Sequence, residues 1–180
     1  QEARAWLVRR YLSAFGPARV DDVQWWTGLT KGETAGALSL CEGEVIEAGL
    51  AGHASAYLML AHDARSLREF APPATSHVSL LPGLDPYIMG YQDRRRFLAE
   101  EHHPRVFDRA GNAMPTVWVN GRVVGAWGQH KDGSVVYGLF ETVPDEAQAL
   151  LAAEAQRLEA FLEGEFLPQR SHTTFTRSLK

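Results

Sequence analysis

Between Pro115 and Phe140 three strand-like runs, PTVWVN (Pro115 to Asn120), RVVGAW (Arg122 to Trp127) and SVVYGLF (Ser134 to Phe140), are joined by Asn120-Gly121 and by Lys131-Asp132-Gly133. Asn-Gly and Asp-Gly accept the positive φ angles that tight hairpin turns need, so each joint predicts a reversal of the chain. Two reversals in succession make an antiparallel meander. From Pro144 to Gly164 the residues Ala147, Leu150, Leu151, Leu158, Phe161 and Leu162 then recur at helical spacing, which predicts a long acidic amphipathic helix.

The first half reads differently. From Glu2 to Phe15 the positions Ala3, Leu7, Tyr11 and Phe15, with Trp6 and Ala14 alongside, form the stripe of an amphipathic helix, which Gly16-Pro17 stops. A second helix, Val20 to Trp26, has Asp21 and Asp22 in its first turn and closes at Gly28. In Thr30-Lys31-Gly32-Glu33 a Thr side chain can cap the third amide while the Glu reaches back, so a third helix starts there. The strand-like runs VIEAGL (Val45 to Leu50) and SAYLML (Ser55 to Leu60) flank a glycine turn. Helix, helix, tight turn, helix and β-hairpin is the order of a winged helix-turn-helix.

A short helix to Phe70 and the proline-containing APPATSH lead to VSLL (Val78 to Leu81), which reads as a strand. Asp85-Pro86 supplies an N-cap and a first-turn proline, and Gly90 and Asp93 predict that this helix breaks and restarts before RRRFLAEEHH. The expected fold class is therefore α+β. A winged helix-turn-helix occupies 1-62, a short helix and linker 63-77, and a helix plus antiparallel β meander with a long C-terminal helix 78-164. A mobile basic tail at 165-180, which has no core pattern, completes the chain.

At 180 residues and 45% hydrophobic, the chain has enough apolar material for a real core. No run of about 18 apolar residues is present, and QEARAWLVRR lacks the order of a signal peptide, so neither a membrane span nor export is expected and the address reads as cytoplasmic. The first residue, Gln1, already lies in a helical pattern, which suggests a piece of a longer protein. Cys41, the one cysteine, reads as a buried reduced thiol. The net charge of -4 is unevenly spread: residues 94 to 140 carry 7 basic and 4 acidic groups, residues 141 to 167 carry 1 and 7. The positive patches are local.

Several groups could carry chemistry, each with a structural reading beside it. A winged helix presents its third helix to the major groove, yet the stretch from Thr30 to Glu44 offers only Lys31 as a cation against Glu33, Glu42 and Glu44. A winged helix used as a scaffold or protein contact is the alternative. Arg94, Arg95 and Arg96, with Arg105, Arg109, Arg122, His130 and Lys131 further on, form the densest cationic region and suit phosphate contacts. The arginines could instead pair with Asp85, Asp93 or Glu101. His102-His103 reads as a surface loop rather than a metal site, because adjacent side chains diverge and no third ligand stands at the right spacing. Trp6, Trp25, Trp26, Trp118 and Trp127 read mostly as core rather than as base-stacking platforms. No Gly-rich phosphate loop, Gly-x-Ser-x-Gly elbow or HExxH occurs, and no cofactor is expected.

The stretches YLSAFGPARVDDVQWWTGL, LLPGLDPYIMGYQDRRRFL and MPTVWVNGRVVGAWGQHKDG together resemble the C-terminal portion of the winged-helix DNA-binding family that contains the AlkZ and YcaQ type bacterial DNA glycosylases. The resemblance spans roughly residues 1 to 140. It implies a chain about half as long as its relatives, tandem winged helices around a basic concave surface, and excision of alkylated or crosslinked bases by the whole protein. The family's signature is Gln-x-Gln or Gln-x-Asp in the N-terminal part. None of the glutamines here, at 1, 24, 92, 129, 148, 156 and 169, has either residue two positions on, so no catalytic residue is assigned. The expected task is holding double-stranded DNA for such a glycosylase, with the N-terminal half of the parent as partner and Lys31, Arg94, Arg95, Arg96, Arg122, His130 and Lys131 as contacts. A DNA-binding regulator without enzymatic activity, or a protein-interaction scaffold, are the alternatives.

Overall fold

The computed structural model describes residues 1–168 and 172–179. The chain forms two compact units, Gln1–Pro72 with Gly90–Asp93, and Pro73–Met89 with Arg94–Lys180. It is a mixed structure of helices and antiparallel sheets. Among the described residues no helix is long and apolar enough to cross a membrane.

The first unit runs α1 (Glu2–Phe15), α2 (Val20–Thr27), α3 (Lys31–Ser39), β1 (Val45–Gly49), β2 (Ala56–Leu60) and α4 (Ala64–Glu69). Gly28 closes α2 at φ 71, a backbone state that costs a glycine little. Two residues on, the Thr30 hydroxyl accepts the Glu33 amide while the Glu33 carboxylate accepts that of Thr30, the reciprocal cap expected there. β1 and β2 pair from Val45↔Leu60 to Gly49↔Ala56, and Ala18 adds one further bridge to Leu58.

The core of this unit takes Ala5, Val8, Tyr11 and Leu12 from α1, with Val23, Cys41 and Tyr57 to Leu60. The buried face of α1 is therefore rotated from the expected Ala3-Leu7-Tyr11-Phe15 stripe. α2, α3 and β2 all pack on α1, and they select the face that carries Ala5, Val8, Tyr11 and Leu12. Trp6 is left 56% exposed, and Trp25 and Trp26 are exposed as well. Only Trp118 and Trp127, in the second unit, meet the expectation that the tryptophans are core.

Residues 90–93 are held in this unit by named bonds. The Tyr11 hydroxyl donates to Gly90 O at 2.8 Å and the Tyr91 hydroxyl to Phe15 O at 2.7 Å. Asp22, only 2% exposed, accepts the amides of Gln92 and Asp93 at 2.9 Å each through Oδ1 and that of Arg19 at 3.0 Å through Oδ2. A buried carboxylate needs such donors to offset its lost hydration.

The second unit begins with β3 (Val78–Leu81) and α5 (Pro86–Met89), whose first turn is capped by Asp85 Oδ1 on the Tyr87 amide at 2.9 Å. The helix expected to restart at the arginines does not form. Residues 94–98 make a turn, closed by the amides of Phe97 and Leu98 on Arg94 O, and regular helix returns only at α6 (His103–Val106). Phe97 and Leu98 are both buried, which turns this stretch inward before a helical face can develop.

β4 (Thr116–Val119), β5 (Arg122–Gln129) and β6 (Val135–Leu139) form the expected meander, and β3 joins its edge in the order β3-β4-β5-β6, all antiparallel. Asn120 at φ 49 and Gly121 at φ 77 make the first reversal. α7 (Asp145–Leu162) lies across β3 and β6 and buries Ala147, Leu151 and Ala155, with Leu158 and Leu162 partly covered. Ala147, Leu151 and Ala155 recur at four-residue spacing on the face turned to the sheet, and this register leaves the expected core residues Leu150 and Phe161 exposed.

The stretch expected as a mobile basic tail also differs. Gln129 bonds the backbone of Glu165 and Leu167, and Thr173 caps a short helix, α8 (Thr174–Ser178). Phe175 meets Phe140 edge to face at 4.8 Å, and a side chain at Gly138 would collide with Phe175 and Leu179. This docking depends on a glycine in another strand, so no local pattern announces it. Residues 169–171 and 180 lie outside the described part.

Candidate nucleic-acid interface

Lys31 sits exposed at the start of α3. Beside it Glu33 pairs with Arg4 at 2.6 Å, so one of the acids that weakened the third helix as a DNA-facing element is engaged from α1. The carboxylate of Glu33 is held below the usual range chiefly by its bond to the Thr30 amide, then by the Thr30 hydroxyl.

In the second unit the Arg94–Phe97 turn is tied to the sheet by the Val123 amide, which donates to Phe97 O at 2.8 Å. Arg122, exposed at the first position of β5 opposite Val119, is the residue before Val123, so that bond sets its backbone next to the turn. Arg95 is exposed; Arg94 and Arg96 are half-buried. Arg94 donates Nε–H to Ile88 O at 3.0 Å, and its guanidinium lies 4.5 Å from the centre of the Phe107 ring. Asp93 pairs with Arg19 at 2.8 Å, and Asp85 caps α5.

His130 and Lys131 follow the other end of β5. At the usual rise of a strand they stand about 25–30 Å from Arg122. The residues named from sequence thus fall in separate places: Arg94 to Arg96 with Arg122, His130 with Lys131, and Lys31 in the other unit.

The two adjacent histidines diverge: His102 is buried, while His103, the first residue of α6, is exposed. His102 is 7% exposed, with Nε2 3.3 Å from Glu141 Oε2 and its ring 5.0 Å from that of Phe140. His103 stacks on Phe107 at 4.6 Å and 23°, and burial, then the nearby Arg94, lowers its pKa. Among the described residues no group of three or more His, Cys, Asp or Glu is placed to hold a metal ion. A cavity of about 500 Å³ in the second unit, walled by Pro82, Leu84, Met114, Pro115 and Trp127, has no ionisable side chain in its lining.

Sequence reasoning did not single out the tip of the β1–β2 hairpin, where the Tyr57 hydroxyl lies 3.3 Å from His53 Nδ1. A His directly after the turn glycine and four positions before a Tyr was the available signal.

The model of the family described as DNA glycosylase AlkZ-like matches residues 1–161. This chain belongs to the AlkZ-like DNA glycosylase family. An interstrand DNA cross-link repair glycosylase of Streptomyces sahachiroi is 32% identical to it over 130 residues, 70% of this chain and 34% of that protein. The solved structure of Streptomyces sahachiroi DNA glycosylase AlkZ matches it with a TM-score of 0.75 at 29% identity, over 94% of this chain and 45% of that one. The chain spans about a third of the length of the curated AlkZ-like relative and under half of the solved one.

Proposed function

We propose that this chain holds double-stranded DNA as the C-terminal part of a base-excision or crosslink-repair glycosylase. The observation that carries the reading is the AlkZ-like match over residues 1–161, supported by a structural likeness covering 94% of the chain. In this reading residues 1–62 are a winged helix-turn-helix, with α3 and the β1–β2 hairpin its DNA-facing elements. Residues 63–77 connect it to a meander unit at 78–164. Arg94, Arg95, Arg96 and Arg122 neutralise phosphates on one side, His130 and Lys131 on another, and Lys31 serves α3.

Catalysis belongs to the part of the parent outside this chain, since a group that positions water against the sugar carbon has no match among these glutamines. The test is duplex binding as a function of salt. The wild-type chain is expected to bind with a steep negative slope of log affinity against log salt. Arg94→Glu with Arg95→Glu should weaken binding by about tenfold or more and flatten the slope by about two. The full-length parent should release a modified base that this chain alone does not. Duplex binding that is absent at low salt, or indifferent to these arginines, sinks the reading.

A further inference from the structure

From Ala48 to Ala56 the hairpin tip reads AGLAGHASA, in which His53 is the one ionisable side chain. The turn presents it. Leu50 O accepts the His53 amide at 3.0 Å, and Gly52 takes φ 79, as the third position of a type II turn requires. His53 itself is exposed. Its neighbours Ala51, Gly52 and Ala54 are small, so a nucleic-acid backbone can come within hydrogen-bonding distance of the imidazole.

An exposed histidine on a hairpin tip would ordinarily sample several rotamers, and this one is restrained. Tyr57 is buried in β2 opposite Ala48, its hydroxyl lies 3.3 Å from His53 Nδ1, and the two rings meet edge to face at 5.8 Å and 86°. A phenol that donates to Nδ1 leaves the proton of the neutral imidazole on Nε2. The tip then carries a donor fixed in direction before any ligand arrives. A group ordered in advance forfeits less entropy on contact.

We infer that His53 is a DNA contact of the β1–β2 hairpin, donating Nε2–H to a backbone phosphate, and that Tyr57 is the positioning residue that sets its tautomer and direction. This inference rests on the DNA-holding reading given above. It adds a site in the first unit to the cationic residues already named, and it depends on none of them.

The experiment measures affinity of the whole chain for a short duplex by fluorescence anisotropy at low salt. His53→Ala should weaken binding about 3- to 10-fold, the range of one hydrogen bond to phosphate. His53→Gln, whose amide can reach where Nε2–H was, should recover part of the loss. Tyr57→Phe keeps the ring packing; it should weaken binding in the wild-type background and have no effect in the His53→Ala background, a non-additivity that a general packing defect would not produce. Nitrogen-15 spectra should show the Nε2–H tautomer at His53, lost to a mixture in Tyr57→Phe. Wild-type binding matched by His53→Ala, or an Nδ1–H tautomer at His53, overturns the inference and leaves the DNA-holding reading intact. A wild-type chain that binds no duplex overturns both.

Discussion

At His103 two influences oppose a positive charge, desolvation against Phe107 first and the Arg94 guanidinium second, and they outweigh the pull of Glu100. The folded imidazole therefore takes up its proton below 6.5, while the unfolded chain takes it up near that value. Stability from the neutral ring is complete above pH 6.5 and is lost as pH falls through the lower folded value. Proton NMR should place the His103 titration below 6.5, and Arg94→Ala should move it upward; a titration indifferent to Arg94 would show that the two do not interact. Cys41 gives the matching case for an acid. Burial pushes its thiol up against the opposing effect of Arg9, so native protein should react with a thiol reagent far more slowly than protein in denaturant. The buried thiol was readable from an apolar pattern. The contrast between His102 and His103 was not, because it depends on Phe140 and Glu141, which follow β6 in the chain.

Elements whose start and stop signals are local were legible in advance. The Thr30 cap, the Gly28 stop, the Asn120-Gly121 reversal and the Asp85-Pro86 helix start all involve groups within four residues of one another, and the structure contains each of them. Thr30→Ala should cost about 1 kcal/mol and lower the melting midpoint by a few degrees in thermal unfolding. What escaped was set by distant contacts. The arginine stretch becomes a turn because Phe97 and Leu98 are drawn inward, and the buried face of α1 is chosen by three later elements. Gly125 belongs to the same class: a Cβ there would run into the Gly138 carbonyl on the neighbouring strand and crowd Val117 and Leu139. Gly125→Ala should cost about 1–3 kcal/mol, read from the urea midpoint, whereas Gly36→Ala, with open space around the added methyl, should not lower it.

Across the whole chain, the family was legible because its characteristic stretches are contiguous, and the layout of its cations was not. Sequence proximity grouped Arg122 with Lys131, yet the length of β5 separates them, while the Phe97–Val123 bond brings Arg122 to the Arg94 turn. On the DNA-holding reading, losses from Arg122→Glu and Arg95→Glu should be non-additive, and losses from Lys131→Glu and Arg95→Glu should sum, as measured by duplex affinity at fixed salt. The chain path itself has a consequence for how such a protein can be divided. A cut after residue 72 removes two of the backbone amides that Asp22 accepts, together with the ring of Tyr91 against Phe15. No one scission yields both units whole. Any recombination that exchanged the first of them would have to carry along the four residues, 90–93, that interrupt the sequence of the second.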